Sequence, residues 1–514
     1  MTAGARTTDV LVVGAGPTGL SLACQCIRHG VDFIIVDRND GVTPYSKAIG
    51  VHARTLEIYE QMELADPAIA EGAIARRGRL IVGGKVRGEL ELSRIGAGFS
   101  RFPFVLMLEQ SKNERLLYEY MRAHGRDVCW GTAFESLTQR GDGVSVTVTG
   151  PDGGASRIEA KYVVGCDGAR SPVRHALGLE FEGSTFERTF YVADAQVDWA
   201  FDHDALHACL LRDSFVLFFP LKGERRYRIV GVFPEQFAGA SERIMYEQIE
   251  RNIKEGTALP LDIHDVEWFS TYKVHTRHVS AFSSGRCFLA GDAAHIHSPA
   301  GAQGMNTGIQ DAYNLAWKLA LVLHGKASPQ LLESYSGERL PNAKRLLETT
   351  DRLFQLAAGS NPIVSFLRRN IVPPIANRLL RMPRVTSFIF PTLSQIGIAY
   401  RGSPLSDHEG DARFAVKAGD RMPWFEIDGA SIYDRLRTPS FHWLVFTERP
   451  AESHGEHVIN DLFDTHVLPL HPAASAAFGM TGPFSVLLRP DNHIAFVSSE
   501  ADGARVRAYL KEAL

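Results

Sequence analysis

The stretch Gly285-Arg-Cys-Phe-Leu-Ala-Gly-Asp-Ala-Ala-His-Ile-His-Ser-Pro-Ala-Gly-Ala-Gln-Gly-Met-Asn-Thr-Gly-Ile-Gln-Asp311 decides the fold. Cys287 to Ala290 form a short apolar run that reads as a buried strand. It breaks at Gly291-Asp292 into a loop carrying Gly301 and Gly304. Ile309, Ala312, Tyr313, Ala316, Leu319, Ala320 and Leu323 then fall on one helical face, predicting a helix from near Asn306 to Gly325. A strand that delivers a carboxylate to a glycine-rich loop is a ligand site. The first turn of the following helix adds unpaired backbone N–H groups and the positive end of a dipole, which suits a group that becomes anionic. The plain alternative is a loop that uses glycine only to turn.

The other end of the chain weighs against that alternative. Val10 to Val13 make an apolar strand that runs into Gly14-Ala-Gly16-Pro-Thr-Gly19, after which Leu20, Ala23, Cys24 and Ile27 share a helical face. A second strand from Phe33 to Val36 ends at Asp37-Arg38. In this strand–turn–helix–strand context the glycines permit a tight turn and close approach to a pyrophosphate, and Asp37 stands where a ribose hydroxyl needs an acceptor. A dinucleotide site is expected. Cys24 and Cys26, two apart on the helix, point to different faces and read as packing.

With 514 residues, 45% of them hydrophobic, the chain holds more than one core, and two or three domains are expected. The 55 basic and 59 acidic residues give a net charge of −4 without a basic, aromatic-laced block, which argues against nucleic acid. Six scattered cysteines lack metal-ligand spacing, and no apolar leader precedes Gly14, so a cytoplasmic, thiol-reduced protein is expected. No apolar run approaches the roughly 20 residues of a membrane span. A small molecule is the expected partner.

Between the two motifs, Lys47, His52 and Arg54 follow the second strand. Two readings stay open: Arg54 and Glu57 begin a solvated helix face, or these cations sit near the pyrophosphate. Gln110 begins an amphipathic helix. Val144, Val146 and Val148 alternate as a strand, a turn follows at Gly150 to Gly154, and the return strand from Ile158 ends at Gly165-Cys-Asp167-Gly168. Thus a second strand end carries Asp-Gly.

These three motifs in order resemble the single-component FAD-dependent aromatic hydroxylases of the p-hydroxybenzoate hydroxylase type. The branch is that of phenol hydroxylase, pentachlorophenol monooxygenase and 3-hydroxyphenylpropionate hydroxylase. The resemblance covers nearly the whole chain. It implies an α/β fold: a Rossmann-like FAD-binding domain (1–185 and 275–400), an inserted, mostly antiparallel substrate-binding sheet (186–274), and a thioredoxin-like C-terminal domain (411–514). It implies that Gly14, Gly16, Gly19 and Asp37 hold the adenosine half of FAD, with Arg38, Lys47 and Arg54 as further cofactor-binding candidates. Gln110 contacts the FAD, and Asp167 lies where cofactor and reductant meet. Gly291 and Asp292 take the ribityl chain, while Pro299, Gly301, Gly304, Met305 and Asn306 pass beside the isoalloxazine. Lys47 departs from the family's usual arginine, a planar cation that lysine does not reproduce.

The activity so implied is insertion of one oxygen atom of O₂ into a phenolic ring through a flavin hydroperoxide, with NADH or NADPH as transient reductant. A homodimer fits the family as well. Residues 190–282 are strand-rich, with a hairpin turn at Gly223-Glu224. Phe215, Phe218 and Phe219, with Pro299, are the substrate-pocket residues this suggests, although aromatics in a sheet are also ordinary core. His207 and Arg212 are candidates for orienting the phenol, with surface positions as the alternative. Pro341 is expected to bend a long helix from Leu331 to Leu356. Residues 366–380 read as a helical cap, and Gly402 to Gly410 as a domain boundary. No cysteine follows Cys287, so the C-terminal domain runs no dithiol chemistry. Two rivals are a flavin-dependent halogenase or antibiotic-modifying oxidase of the same fold, and a non-catalytic flavin-binding assembly module. The six tryptophans contain no Trp-x-Trp pair, which disfavours the halogenase.

Overall fold

The computed structural model describes residues 6–44, 46, 48–212, 214–233, 246–297, 300–358, 378, 382–448, 462–501 and 503–514. At its centre is a mainly parallel sheet. Strand Arg6–Val13 lies between Phe33–Val36 and Ala155–Gly165, all parallel, and Cys287–Leu289 extends the parallel set beyond Ala155–Gly165. Their near-continuous apolar sequences follow from cover on both faces. Helix Pro17–Arg28 packs on one side with helix Gly304–Leu323 beside it, and Val10, Leu11, Val12 and Leu289 are fully buried in the largest core. The antiparallel pair Ala133–Arg140 and Gly143–Thr149 hangs from the back of Ala155–Gly165.

The second sheet has eight strands, and its limits differ from the expected 186–274. Phe181–Asp198 and Asp262–Val279 pair over their length, followed by Arg226–Val232, Phe215–Pro220 and Ala205–Leu210. Two strands from the first part of the chain, Arg77–Val82 and Lys85–Glu91, form one edge, and the short His295–Ile296, paired antiparallel with Asp262–Val279, forms the other. The pairing of Ala205–Leu210 with Arg77–Val82 is parallel, so the sheet's edge is made by residues far away in sequence. The Gly223 hairpin is present, with Pro220 opposite Tyr227.

Alternation along Phe215–Pro220 sorts its side chains. Val216 and Phe218 join Tyr191, Tyr227 and Ile229 under helix Tyr246–Thr257. Phe215 and Phe219 point the other way, and Phe219 packs with Ile49, Ala75 and Met107 from the first part of the chain. Arg226, on that same side, reaches Glu109 at 3.4 Å.

The C-terminal sheet runs in the order Phe463–Pro469, Phe441–Thr447, Phe484–Leu488, Ile494–Ser498. Its first pair is parallel and the other two antiparallel. Residues 402–410 are irregular, as expected of a boundary, but are not a loose linker: Leu405 is buried, and Ser403 Oγ donates to Glu338 at 2.5 Å. Phe441, Trp443, Leu487 and Phe496 pack directly on Trp317 and Leu321 of helix Gly304–Leu323. Helix Glu333–Ala358 contains Pro341. The cap expected at 366–380 falls outside the described residues apart from position 378.

All six cysteines are free, and burial pushes the Cys26 thiol up to about 12. Among the described residues no helix is long and apolar enough to cross a membrane.

Candidate active site

The three glycine-bearing motifs meet at the carboxyl ends of the parallel strands, the usual ligand side of such a sheet. Gly14 holds φ +102°, and a Cβ there would stand 2.5 Å from the Cys166 carbonyl oxygen, next to Asp167. Thr18, in the first turn of the first helix, occupies the space that side chains on Gly291 and Gly308 would fill. The first turn therefore abuts both the Gly291-Asp292 loop and helix Gly304–Leu323.

Gly16 differs from its neighbours, because a Cβ on it would meet no protein atom within 4 Å. It caps a helix whose N-terminus has no side-chain cap and no acidic residue in its first turn. An anion approaching Gly16 meets free N–H groups and the positive end of a dipole. Asp37 lies at the end of the neighbouring strand and is already oriented: its carboxylate accepts from the Ala15 N–H at 2.6 Å and the Asn39 N–H at 2.8 Å. Arg38 beside it is exposed.

Asp167 accepts from the Val173 N–H at 3.0 Å through Oδ2, while its Oδ1 is buried without a partner. Burial raises its pKa against the lowering effect of Ser171 and Val173. An unsatisfied buried acceptor costs about 1–3 kcal/mol, so a structure that keeps one has a use for it.

Under the loop lies a fully buried cluster that the sequence did not reveal. Asp311 accepts from the Gly291 N–H at 2.9 Å, faces His295 Nε2 at 2.7 Å, and is paired with Arg339 Nε at 2.6 Å. Burial alone would raise the Asp311 pKa, but Arg339 and His295 outweigh it and hold the carboxylate down at about 2. Arg339 also donates to the Thr307 carbonyl and the Tyr400 hydroxyl. One carboxylate thus fixes the turn at Gly291 to the helix that follows it.

Several residues on the expected cofactor side also hold the scaffold. Asn306 Oδ1 accepts from the His52 N–H and the Thr55 hydroxyl, and its Nδ2 donates to the Gly50 and Ala302 carbonyls. The side chain is fully engaged in holding the 300–306 loop, where Ala302 sits at φ +53°. What Asn306 can offer a ligand is its place in the uncapped first turn, with buried Met305 beside it and Gly304 and Gly301 before it. His52 Nε2 donates to the Gly301 carbonyl at 2.8 Å, and burial pulls its pKa down to about 4, so it is neutral near pH 7. Gln110 also shapes a loop: Oε1 accepts from the Ala48 N–H and Nε2 donates to Glu114.

Arg54 is a correction to both readings of it. It is 2% exposed, pairs with Glu57 at 3.2 Å, donates to the Asp491 carbonyl at 2.7 Å and lies over the Tyr313 ring. It docks the C-terminal sheet and faces neither solvent nor the Gly16 turn. Lys47 and Pro299 lie outside the described residues, and Asp292 is exposed on the 291–293 turn.

A family model described as an FAD binding domain matches residues 7–350, more than half of the chain. The chain belongs to this family. It is 36% identical to 6-methylpretetramide 4-monooxygenase of Streptomyces rimosus over 461 residues, covering 86% of this chain and 79% of that protein. It is 34% identical to pentachlorophenol 4-monooxygenase of Sphingobium chlorophenolicum, covering 88% and 82%. Among solved structures, an anhydrotetracycline hydroxylase from Streptomyces rimosus superposes with TM-score 0.76 at 28% identity, covering 98% of this chain and 99% of that one. The enzyme is an FAD-dependent aromatic monooxygenase with NAD(P)H as reductant. The open face at Gly16 and the unpartnered Asp167 Oδ1 fit that cofactor.

On the substrate side, the sheet separates the expected residues. Phe215 and Phe219 lie on the face turned to the FAD domain. Phe218 and His207, which are register partners, lie on the opposite face, and this corrects both assignments. His207 is fully buried among Trp199, Phe201 and Tyr227, and burial lowers its pKa to about 4, so it is neither accessible nor protonated near neutral pH. Arg212 is exposed in the turn after Ala205–Leu210.

The FAD-side face carries a group that single-sequence reading missed. Arg228 Nε and Nη2 form a two-point pair with Asp194, both at 2.7 Å, and Trp268 Nε1 donates to Asp194 at 2.6 Å. Arg228 is 1% exposed, yet its Nη1 is buried without a partner. Only strand register could have signalled this: Asp194 is opposite Arg228 on one side and Trp268 on the other.

Proposed function

We propose that this monooxygenase hydroxylates a polycyclic phenol of the aromatic-polyketide kind, held between the FAD and the sheet face that carries Phe215, Phe219 and Arg228. The observation that carries this reading is the buried Arg228 Nη1, the one N–H group of a guanidinium otherwise held by Asp194 that lacks a partner, on a face that also carries Phe215 and Phe219. Such a donor matches a phenolate or quinone oxygen, and the aromatic rings match a flat hydrocarbon. Two relatives support the same class, being named for a pretetramide and an anhydrotetracycline, while another is named for the single-ring pentachlorophenol.

When bound, FAD supplies the redox chemistry, accepting reducing equivalents from NAD(P)H and activating O₂. The chain supplies position and charge. Gly14, Gly16 and Gly19 with the first helix end take the pyrophosphate, Asp37 a ribose hydroxyl and Asp292 a ribityl hydroxyl. The uncapped N-terminus of Gly304–Leu323 favours negative charge at the pyrimidine edge. Asp311 keeps the 291 turn in place beneath it. The C-terminal sheet, with its parallel pair followed by two antiparallel strands, fits a thioredoxin-like unit that has lost dithiol chemistry.

The purified protein is expected to hold one FAD and to consume NAD(P)H faster when a tetracyclic phenol is added, giving a product one oxygen atom heavier by mass spectrometry. Stimulation by simple phenols alone would overturn the substrate class, and no stimulation by any phenol together with normal FAD content would favour a non-catalytic flavoprotein. In a separate test, Asp292→Ala removes a charge-assisted hydrogen bond of roughly 1.5–3 kcal/mol. FAD affinity is then expected to fall about 10- to 150-fold. Unchanged affinity by fluorescence titration would make Asp292 a structural residue.

A further inference from the structure

We infer that His442, Asp464 and His466 form a binding site for a divalent transition metal of the zinc class, clipping together the parallel strands Phe441–Thr447 and Phe463–Pro469. Strand register makes the cluster. His442 is opposite Asp464, and His466 lies two residues further along the second strand. Side chains two apart on a strand share a face, and so do register partners, so all three project to the same side.

The donor atoms are close enough to share an ion. His442 Nδ1 is 3.1 Å from His466 Nε2 and 3.7 Å from an Asp464 oxygen, and the three donors lie within 4.8 Å of one another. Zinc binds imidazole nitrogen and carboxylate oxygen at about 2.0–2.2 Å, which puts neighbouring donors of a tetrahedral site about 3.3–3.6 Å apart. The widest spacing closes by small side-chain rotations of Asp464 and His466, both part-exposed. Among the described residues no other trio of His, Cys, Asp and Glu brings its donors this close.

The surroundings orient the ligands as metal sites require. His442 Nε2 lies 3.2 Å from the Thr438 carbonyl and donates its proton there, which leaves the Nδ1 lone pair turned towards Asp464 and His466. Asp464 Oδ2 accepts from the Ser440 hydroxyl at 2.9 Å and from the Thr438 hydroxyl. His442 is fully buried while the other two reach solvent, so one side of the trio is fixed and the other open to an entering ion and a water ligand. Two imidazoles and one carboxylate suit zinc, nickel or cobalt and are too nitrogen-rich for calcium or magnesium. Arg28 and Arg435 are close enough to act on these histidines, which weakens a cation site without removing its donors.

The test uses the full-length protein with its FAD, stripped by a chelator, desalted, and titrated with ZnCl₂ against a chromophoric competitor. One zinc per chain is expected, in the micromolar range or tighter. Cobalt in its place is expected to give the visible absorption of a low-coordinate N/O site. Asp464→Asn and His466→Gln each alter a part-exposed ligand, and each is expected to weaken zinc by at least about 10- to 100-fold. Both variants are expected to retain native FAD content and circular dichroism. Absence of zinc binding, weak binding of several ions per chain, or equal binding by wild type and both folded variants would each overturn the site.

Discussion

Gly16→Ala is expected to yield a folded protein that binds FAD more weakly. Gly16 has φ −76° and ψ −174°, values open to alanine, and its Cβ would meet no protein atom within 4 Å. Substitution by alanine at such a position leaves stability unchanged or raises it by about 0.4–1 kcal/mol. On the proposed placement of the FAD, the added methyl projects towards the pyrophosphate, and crowding a packed contact costs about 1–3 kcal/mol. FAD affinity therefore falls about 5- to 150-fold. Gly14→Ala provides the contrast, because its φ of +102° and the nearby Cys166 carbonyl place the conflict inside the protein. That variant is expected to melt at a lower temperature even without cofactor. Flavin titration and thermal melts on both proteins separate the effects. Wild-type FAD affinity in a folded Gly16→Ala protein would mean that the phosphates do not approach there.

The cofactor half was legible because its signals are local. The strand Phe33–Val36 appears with the limits read from its sequence, and Gly304–Leu323 begins two residues before the expected Asn306. Glycine spacing and helical periodicity depend on neighbours within a turn or two. Arg54 shows where such reading ends. Its place after the second strand suggested phosphate or solvent, but its partner is the Asp491 carbonyl, 437 residues along the chain. Asp311 ended the most informative stretch, yet its role depends on Arg339 arriving from another helix. Likewise Phe218 and Phe219 are adjacent, and only the strand's place in the sheet puts one in the core under helix Tyr246–Thr257 and the other on the face turned to the FAD domain.

The C-terminal unit has a core of its own, built from Met422, Phe446, Phe478, Phe484 and Val486 among others, and it also packs on the helix that starts after the 291–303 loop. Trp317 and Leu321 of Gly304–Leu323 share a core with Trp443, Leu487 and Phe496. Arg421 adds a buried bond to Glu57 at 3.2 Å, beside Arg54. One face of the unit is thus shared with helix Gly304–Leu323, so the unit braces that helix.

Glu338→Ala is expected to destabilise the whole protein by about 3–5 kcal/mol, the cost of leaving buried charges uncompensated. Glu338 receives both Arg489 Nη1 at 2.6 Å and Nη2 at 3.1 Å, Lys318 Nζ at 2.8 Å and Asn314 Nδ2 at 2.7 Å. Asp491 completes the set through Arg489, and Trp317 Nε1 donates to it at 3.3 Å. Two cations face two carboxylates, all within 1% of full burial. Arg489 is the dominant partner, because burial pulls Lys318 down to about 8 despite the nearby carboxylate. For Glu338 itself burial raises the pKa, but Arg489 and Lys318 reverse this and hold it at about 2. A depressed carboxylate stabilises the fold above its unfolded value, and that contribution is lost as pH falls from about 4.5 towards 2. The wild type is therefore expected to lose stability steeply over that window, and Glu338→Ala less steeply. Arg489→Ala strands the carboxylates instead, whereas the double variant retains the balanced Lys318 and Asp491. The two single losses are thus expected to exceed the double by about 0.5–3 kcal/mol in a denaturation cycle. Asn314, Trp317 and Lys318 all lie on Gly304–Leu323, so flavin release in Glu338→Ala is expected to begin at the same lowered temperature as unfolding. A loss under about 1 kcal/mol, or strictly additive variants, would mean that the cluster does not join the C-terminal sheet to the flavin helix.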